Sequence, residues 1–177
     1  MSESQQPTTE QLEAIPYVAV RAEVSPDTFR DIVDSNFGRP FEWLSLRGIG
    51  PAGAPLIRYR SLDANGDPTL IEMGVPVTEP VEIDGEEEGD LVAGELPAGR
   101  YVTHLHVGPF QHAELEDLGD ASKRLIAWAE AEGIELDSAV SGGGTELGAS
   151  AEFYLVDPST EPDFTKWETR IVMRAAG

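Results

Sequence analysis

The amino-acid sequence predicts an α+β fold: duplicated βαββ units whose strands join in one curved antiparallel sheet, with helices on one side and a central groove. Three observations carry this. The 177 residues are 40% hydrophobic, enough for the core of one domain. Apolar residues alternate in some segments and recur at helical spacing in others, in the same order in each half. Glycine-rich stretches, "GIGPAGAP" and "SGGGTELGAS", follow the helical segments at corresponding places. On this reading residues 1–14 are a flexible N-terminus and residues 15–177 a single domain, made of pseudo-repeats over about 15–80 and 94–175.

The elements follow in order. "YVAVRAEV" (Tyr17 to Val24) alternates and is rich in β-branched residues, so it reads as a strand. Ser25 as cap, Pro26 at the first helical position and Asp27 in the first turn start a helix. That helix is interrupted near Gly38-Arg39-Pro40, because the residue before a proline avoids helical dihedrals. Beyond the first glycine loop, "LIRYRSL" and "TLIEMGVPV" are strands separated by the turn "DANGDP". An acidic connector, "TEPVEIDGEEEGD", leads to the second unit. There "ELPAGRYVTHLHVGPF" contains a strand set between a Pro97-Ala98-Gly99 turn and Gly108-Pro109. Leu118, Ala121, Leu125 and Trp128 mark a helix within 113–132, stopped by Gly133. The strands "AEFYLVD" and "WETRIVM" end the chain.

Charge and composition narrow the function. Twelve Lys and Arg against 33 Asp and Glu give a formal net charge of −21, which repels phosphate backbones, so no direct nucleic-acid binding is expected. The same field attracts cations or a basic protein partner, and it equally serves solubility. Without cysteine there are no disulfides, thiolate nucleophiles or cysteine-ligated metals. The start, MSESQQPTTEQ, lacks a basic and apolar leader, and no window approaches the ~18 apolar residues of a membrane span. The expectation is a cytoplasmic protein that does not engage membranes.

Catalytic and cofactor templates find no match. His104 and His106 share a strand face, yet no third metal ligand and no HExxH accompany them, so no metal is expected. "SGGGTELG" lacks the Lys of a phosphate-binding loop, and no GxSxG elbow is present. No cofactor is implied.

Four segments nevertheless resemble a known group. "ELPAGRYVTHLHVGPFQHA", with a Pro-Ala-Gly turn, a strand histidine and Gly-Pro plus an aromatic, is similar to one signature of the GyrI-like small-molecule-binding domains. "IEMGVPV", "AEFYLVDP" and "KWETRIVM" are similar to three more, in the right order, from about Tyr17 to Arg174. That group includes the effector-binding domains of multidrug-responsive transcription regulators as well as stand-alone proteins. The resemblance implies a pseudo-twofold fold with a central ligand groove and an acidic residue in it, at the position of Glu152. Regulators of the group carry an N-terminal DNA-binding region, which the roughly fifteen residues before Tyr17 are too few to form. A stand-alone member is expected.

Strand periodicity puts Glu152 and Tyr154 on one face and Phe153 and Leu155 on the other, with the second pair read as core and the first as groove. A carboxylate among aromatic rings is costly unless solvated, hydrogen-bonded, protonated or matched by a cation, and a lipophilic cation matches it directly. Glu168 either lines the same groove or pairs with Arg170 or Arg174. Glu72 is placed like it on the first half's strand. Tyr59, Trp43, Trp167 and Tyr17 are candidate aromatic walls, and His106 stands where the resemblance places a signature histidine.

The leading functional expectation is a stand-alone binder of amphipathic aromatic, cationic compounds, for drug sequestration or sensing. A second is a hydrolase of cyclopropane-containing alkylating natural products, with Glu152 and Tyr154 as its catalytic candidates. A third is an acidic module that engages a separate regulator or a topoisomerase subunit.

Overall fold

The computed structural model describes residues 6–177, without the side chains of Glu87, Glu88 and Ser141. The first unit comprises β2 (Ile15–Glu23), α1 (Phe29–Asn36), α2 (Arg39–Leu46), β3 (Leu56–Leu62) and β4 (Pro68–Pro76). The second comprises β6 (Gly99–Val107), α4 (Leu118–Ala131), β9 (Ser150–Tyr154) and β10 (Glu168–Arg174). Four strands and one short helix stand outside this repeat: β1 (Thr8–Leu12), α3 (Gly85–Glu88), β5 (Leu91–Leu96), β7 (Ser138–Ser141) and β8 (Gly144–Leu147). The described strands form one antiparallel sheet in the order β1-β6-β10-β9-β3-β4-β2-β5, with the β7–β8 hairpin joined to β3.

Three local expectations change. Residues 8–12, read as a polar tail, are strand β1, because Thr8–Leu12 pair with Thr103–Gly99 along the outer edge of β6. The second glycine loop contains the β7–β8 hairpin, turning at Gly142 and Gly143, whose positive φ suits a tight reversal. Helix α1 starts later than Ser25. Its first turn is taken up by Ser25–Thr28, where the Thr28 hydroxyl bonds the Ser25 amide and side chain. The break at Gly38 holds, and Pro40 sits in the first turn of α2.

The duplication is visible rung by rung. In the first unit Met73 of β4 lies between Val20 and Ile57, and Ile71 between Ala22 and Tyr59. In the second, Ile171 of β10 lies between His104 and Glu152, and Thr169 between His106 and Tyr154. The units meet where β3 pairs with β9, with Ile57 directly opposite Glu152.

All these residues are on the sheet face that the helices cover. Helices α1 and α2 place Phe29, Ile32, Val33, Trp43 and Leu44 over a cluster centred on Val18, Val20, Ile71 and Met73. Helix α4, held by a capping box between Asp117 and Asp120, sets Leu118, Ala121, Leu125 and Ala129 on Val102 and Ile171. Both packings follow from one apolar stripe per helix.

The opposite face is also apolar, so neither face is simply a core face. The sheet curls until β5 and β6, far apart in the strand order, are joined by Pro97 and Ala98 alone. Tyr17, Leu56, Leu96, Tyr101, Phe153 and Val172 fill the inside of the curl. Phe153 is buried there as expected, whereas Leu155 is 47% exposed, beyond the end of β9. The Tyr17 ring lies over Gly94, its partner on β5, where an added Cβ would come within 2.5 Å of the ring.

Gly94→Ala is therefore expected to cost about 1–3 kcal/mol by overpacking, whereas Gly38→Ala, where nothing lies within 4 Å of the added Cβ, should cost far less. Urea unfolding of the two variants checks the contrast.

Candidate functional site

Helix α2 lies over β2 and β4, and α4 over β6. The central strands β3 and β9 pair between them, where the two units join. Three polar side chains converge there. The hydroxyls of Tyr59 and Tyr154 both donate to Oε2 of Glu152, at 2.9 and 2.8 Å. The two tyrosines hold equivalent positions in the two units, so each repeat contributes one donor to a single oxygen.

Aromatic rings close over the cluster. Phe29 stacks on Tyr59, with ring centres 6.5 Å apart and planes within 5°. Phe37 and Phe110 meet Tyr154 edge-on at 5.9 and 5.5 Å, from the α1 end and from the loop after β6. Phe110 also packs on Trp167 at 4.7 Å, and the Trp167 indole N–H donates to the Glu161 carbonyl. Tyr154 thus touches both helix-side clusters.

The electrostatics follow from this enclosure. Glu152 is 7% exposed, and no Lys or Arg pairs with it among the described residues. Burial pushes its carboxyl up from an ordinary 4.5 to about 7, against the opposing pull of the Tyr154 and Tyr59 hydrogen bonds. Burial and the adjacent carboxylate hold both tyrosine hydroxyls far above their usual range, so they remain donors.

Glu72 is the opposite case. It is 1% exposed on the other face, where Arg21 grips Oε2 through Nε and Nη2 at 2.9 and 2.7 Å. The Tyr17 hydroxyl donates to Oε1 of Glu72, and Arg58 donates to that hydroxyl and to the Glu95 and Gly148 carbonyls. This carboxylate already has its cation.

Of the residues singled out in the sequence, Glu152, Tyr154 and Tyr59 come together, with Trp167 adjoining through Phe110. His106 is on the same face, one rung along and 1% exposed. Glu72, Tyr17 and Glu168 are not brought to this cluster: strand alternation sends them to the opposite face. Trp43 is packed in the first unit's core, with the Arg47 guanidinium 3.8 Å above its ring. Phe29, Phe37, Phe110 and Thr169 were not anticipated. Phe110 alone had a signal, as the aromatic that follows Gly108-Pro109. Two surface depressions, of about 420 and 400 Å3, are lined by other residues, among them Val77, Pro80, Phe153 and Arg170. No group of three or more potential metal ligands is found among the described residues.

The model of the GyrI-like small molecule binding domain matches residues 5–176. The chain belongs to the GyrI-like family. No curated protein matches it. Among solved structures, the C-terminal domain of EcmrR is similar at 15% identity and TM-score 0.68, with 97% of each chain covered. In the complex of EcmrR with DNA, the chain spans 57% of EcmrR, with 96% of this chain covered at 16% identity and TM-score 0.66. A hydrolase from Listeria innocua is similar at 14% identity and TM-score 0.57, over 99% of this chain and 94% of its own. SAV2435 bound to tetraphenylphosphonium is similar at 12% identity and TM-score 0.52, over 98% and 95%. At these identities the GyrI-like architecture is what is shared. No helix among the described residues is long and apolar enough to cross a membrane.

The Glu152 value has a consequence for stability. Because the folded-state value, about 7, lies above the ordinary 4.5, the contribution is fully present below 4.5 and lost as pH rises through 7. The loss amounts to roughly 3 kcal/mol at 1.36 kcal/mol per pH unit. Glu152→Gln is expected to melt above wild type at pH 8 and level with it at pH 4.5, as read by calorimetry at both values.

Proposed function

We propose that this GyrI-like domain binds amphipathic aromatic cations in the groove between its two units, with Glu152 as the counter-charge. One observation carries this reading. A carboxylate is buried among aromatic rings with only neutral hydroxyls bonded to it, an arrangement that leaves its charge uncompensated. A delocalised cation supplies the missing charge without a strongly held hydration shell, and the rings of Phe29, Phe37, Phe110 and Trp167 add apolar contact and cation–π attraction. Ligand entry displaces Phe37 or Phe110 from Tyr154. The tetraphenylphosphonium held by SAV2435 is a cation of this chemistry and serves as the probe.

Such a binder can work by sequestering the compound or by reporting it to a separate regulator. Affinity comes from shape and stacking, and the carboxylate sets the sign of charge accepted. Because only ionised Glu152 attracts a cation, protons compete for the site. The affinity of wild type for tetraphenylphosphonium should hold above pH 7 and fall below it, by up to tenfold per pH unit. Glu152→Gln should bind it at least tenfold more weakly at pH 8 and lose the pH dependence. Titration calorimetry from pH 5 to 8 measures both; a flat wild-type profile, or unchanged affinity in Glu152→Gln, would count against a counter-charge role.

A second reading is favoured by the same carboxyl in another capacity. A value near 7 suits a general base at neutral pH, and a Listeria innocua hydrolase shares the architecture. In this reading Glu152 takes a proton from water as the water oxygen attacks a strained cyclopropane carbon, and the broken carbon–carbon bond is protonated in turn. Mass spectrometry of a cyclopropane-bearing alkylator incubated with wild type and with Glu152→Gln separates the readings. Catalytic addition of one water by wild type alone selects the hydrolase, and recovery of unchanged compound selects the binder.

A further inference from the structure

The two units are not chemically alike on their helix-covered face. At equivalent rungs the first unit has Val20, Ile57, Ala22 and Ile71, all apolar, where the second has His104, Glu152, His106 and Thr169. The first unit shows that this fold is satisfied by an apolar residue at each position. Four polar side chains at the matching places of the second unit, each no more than 7% exposed, are a cost that packing does not require.

Two of the four have clear partners. Glu152 receives the tyrosine hydroxyls, and Nε2 of His104 lies 2.8 Å from Nη2 of Arg124. The other rung differs. The His106 Nε2–H donates to the Pro109 carbonyl at 3.0 Å, which in the neutral imidazole leaves Nδ1 as a bare acceptor. That Nδ1 and the Thr169 hydroxyl are both without a hydrogen-bond partner among the described residues, at 1% and 0% exposure. They face each other across β6 and β10, and Thr169 is in turn paired with Tyr154. The loop that covers them runs through Pro109 to Phe110, which packs against Tyr154.

We infer that His106 and Thr169 form a second polar anchor of the groove, which accepts a hydroxyl or N–H donor of the ligand about one rung from its cationic centre. A rung is two residues along a strand, about 6.6 Å, close to the reach of one benzene ring with a phenolic hydroxyl. The favoured ligand is thus asymmetric. Its cation faces Glu152, its donor end points into the second unit, and its apolar remainder lies toward Phe29 and Phe37 of the first. A symmetric cation without a donor fills the first part and leaves the anchor unused. This inference rests on the cation-binding reading of the same groove.

The test uses benzyltriphenylphosphonium and its 4-hydroxybenzyl counterpart, which share the cation and differ by one phenol. Calorimetric titrations at pH 8 should show wild type binding the phenol roughly fivefold tighter, the size of one net hydrogen bond. Thr169→Val, nearly the same shape, should reduce the preference for the phenol, because one of the two acceptors is lost, and melt no lower than wild type. Thr169→Ser should retain the preference. Equal binding of the two compounds by wild type overturns the anchor, as does a preference undiminished in Thr169→Val, and either leaves the cation reading standing. A parallel loss of both affinities in Thr169→Val makes the residue structural and also overturns the anchor. If wild type binds neither compound, the cation reading and the anchor fall together.

Discussion

The structure turns on one carboxyl oxygen. Oε2 of Glu152 receives hydroxyls from Tyr59 and Tyr154, one from each repeat, at the line where the two repeats join. Nothing in the duplicated scaffold calls for an acid there, since Ile57 serves the equivalent position in the first unit. The acid is retained inside a ring of aromatic side chains, and burial raises it to about 7, the point at which small changes in surroundings decide whether it is charged. The placement of the helices to either side, the pairing of β3 with β9 and the arrival of Phe37 and Phe110 from opposite sides all bear on that one group.

The contrast with Glu72 shows why burial alone does not make a site. Both acids are almost fully enclosed in strands of the same sheet. Glu72 meets Arg21 across β2 and β4, with Arg60 3.8 Å from its other oxygen, while Tyr17 and Arg58 extend the network to β5 and to the Gly148 carbonyl ahead of β9. Glu152 meets only phenols. The first arrangement is complete as it stands and reads as architecture; the second is complete only with a proton or a cation. Pairing chemistry, rather than depth, separates the two acids.

Much of the fold was legible in the sequence. The alternating runs located β2, β3, β4, β6, β9 and β10, and the stripe Leu118, Ala121, Leu125 located α4, because in each case local periodicity and burial agree. What escaped was structure created by pairing: β1, whose Thr8 to Gln11 are polar, is a strand only because β6 offers an edge, and β7–β8 is a hairpin within a run that reads as glycine loop. In the candidate site, Glu152, Tyr154 and Tyr59 were singled out, and the structure brings them together. Glu72, Tyr17 and Glu168 went to the other face, since a strand's alternation is readable but which parity faces which layer is not. Phe29 and Phe37 escaped because an aromatic on an amphipathic helix is indistinguishable from core until its ring neighbours are known.

The outer rim of the sheet has a further consequence. Its exposed margin at β1 is five residues long, with Thr8, Thr9, Glu10 and Gln11 all solvent-facing and Glu10 tied to Arg170. A short, polar margin of this kind is a poor template for strand addition, and a net charge of −21 adds repulsion between like-charged surfaces. At the β1 edge the sheet therefore offers little to an added strand, and its apolar side chains are concentrated under the helices and inside the curl.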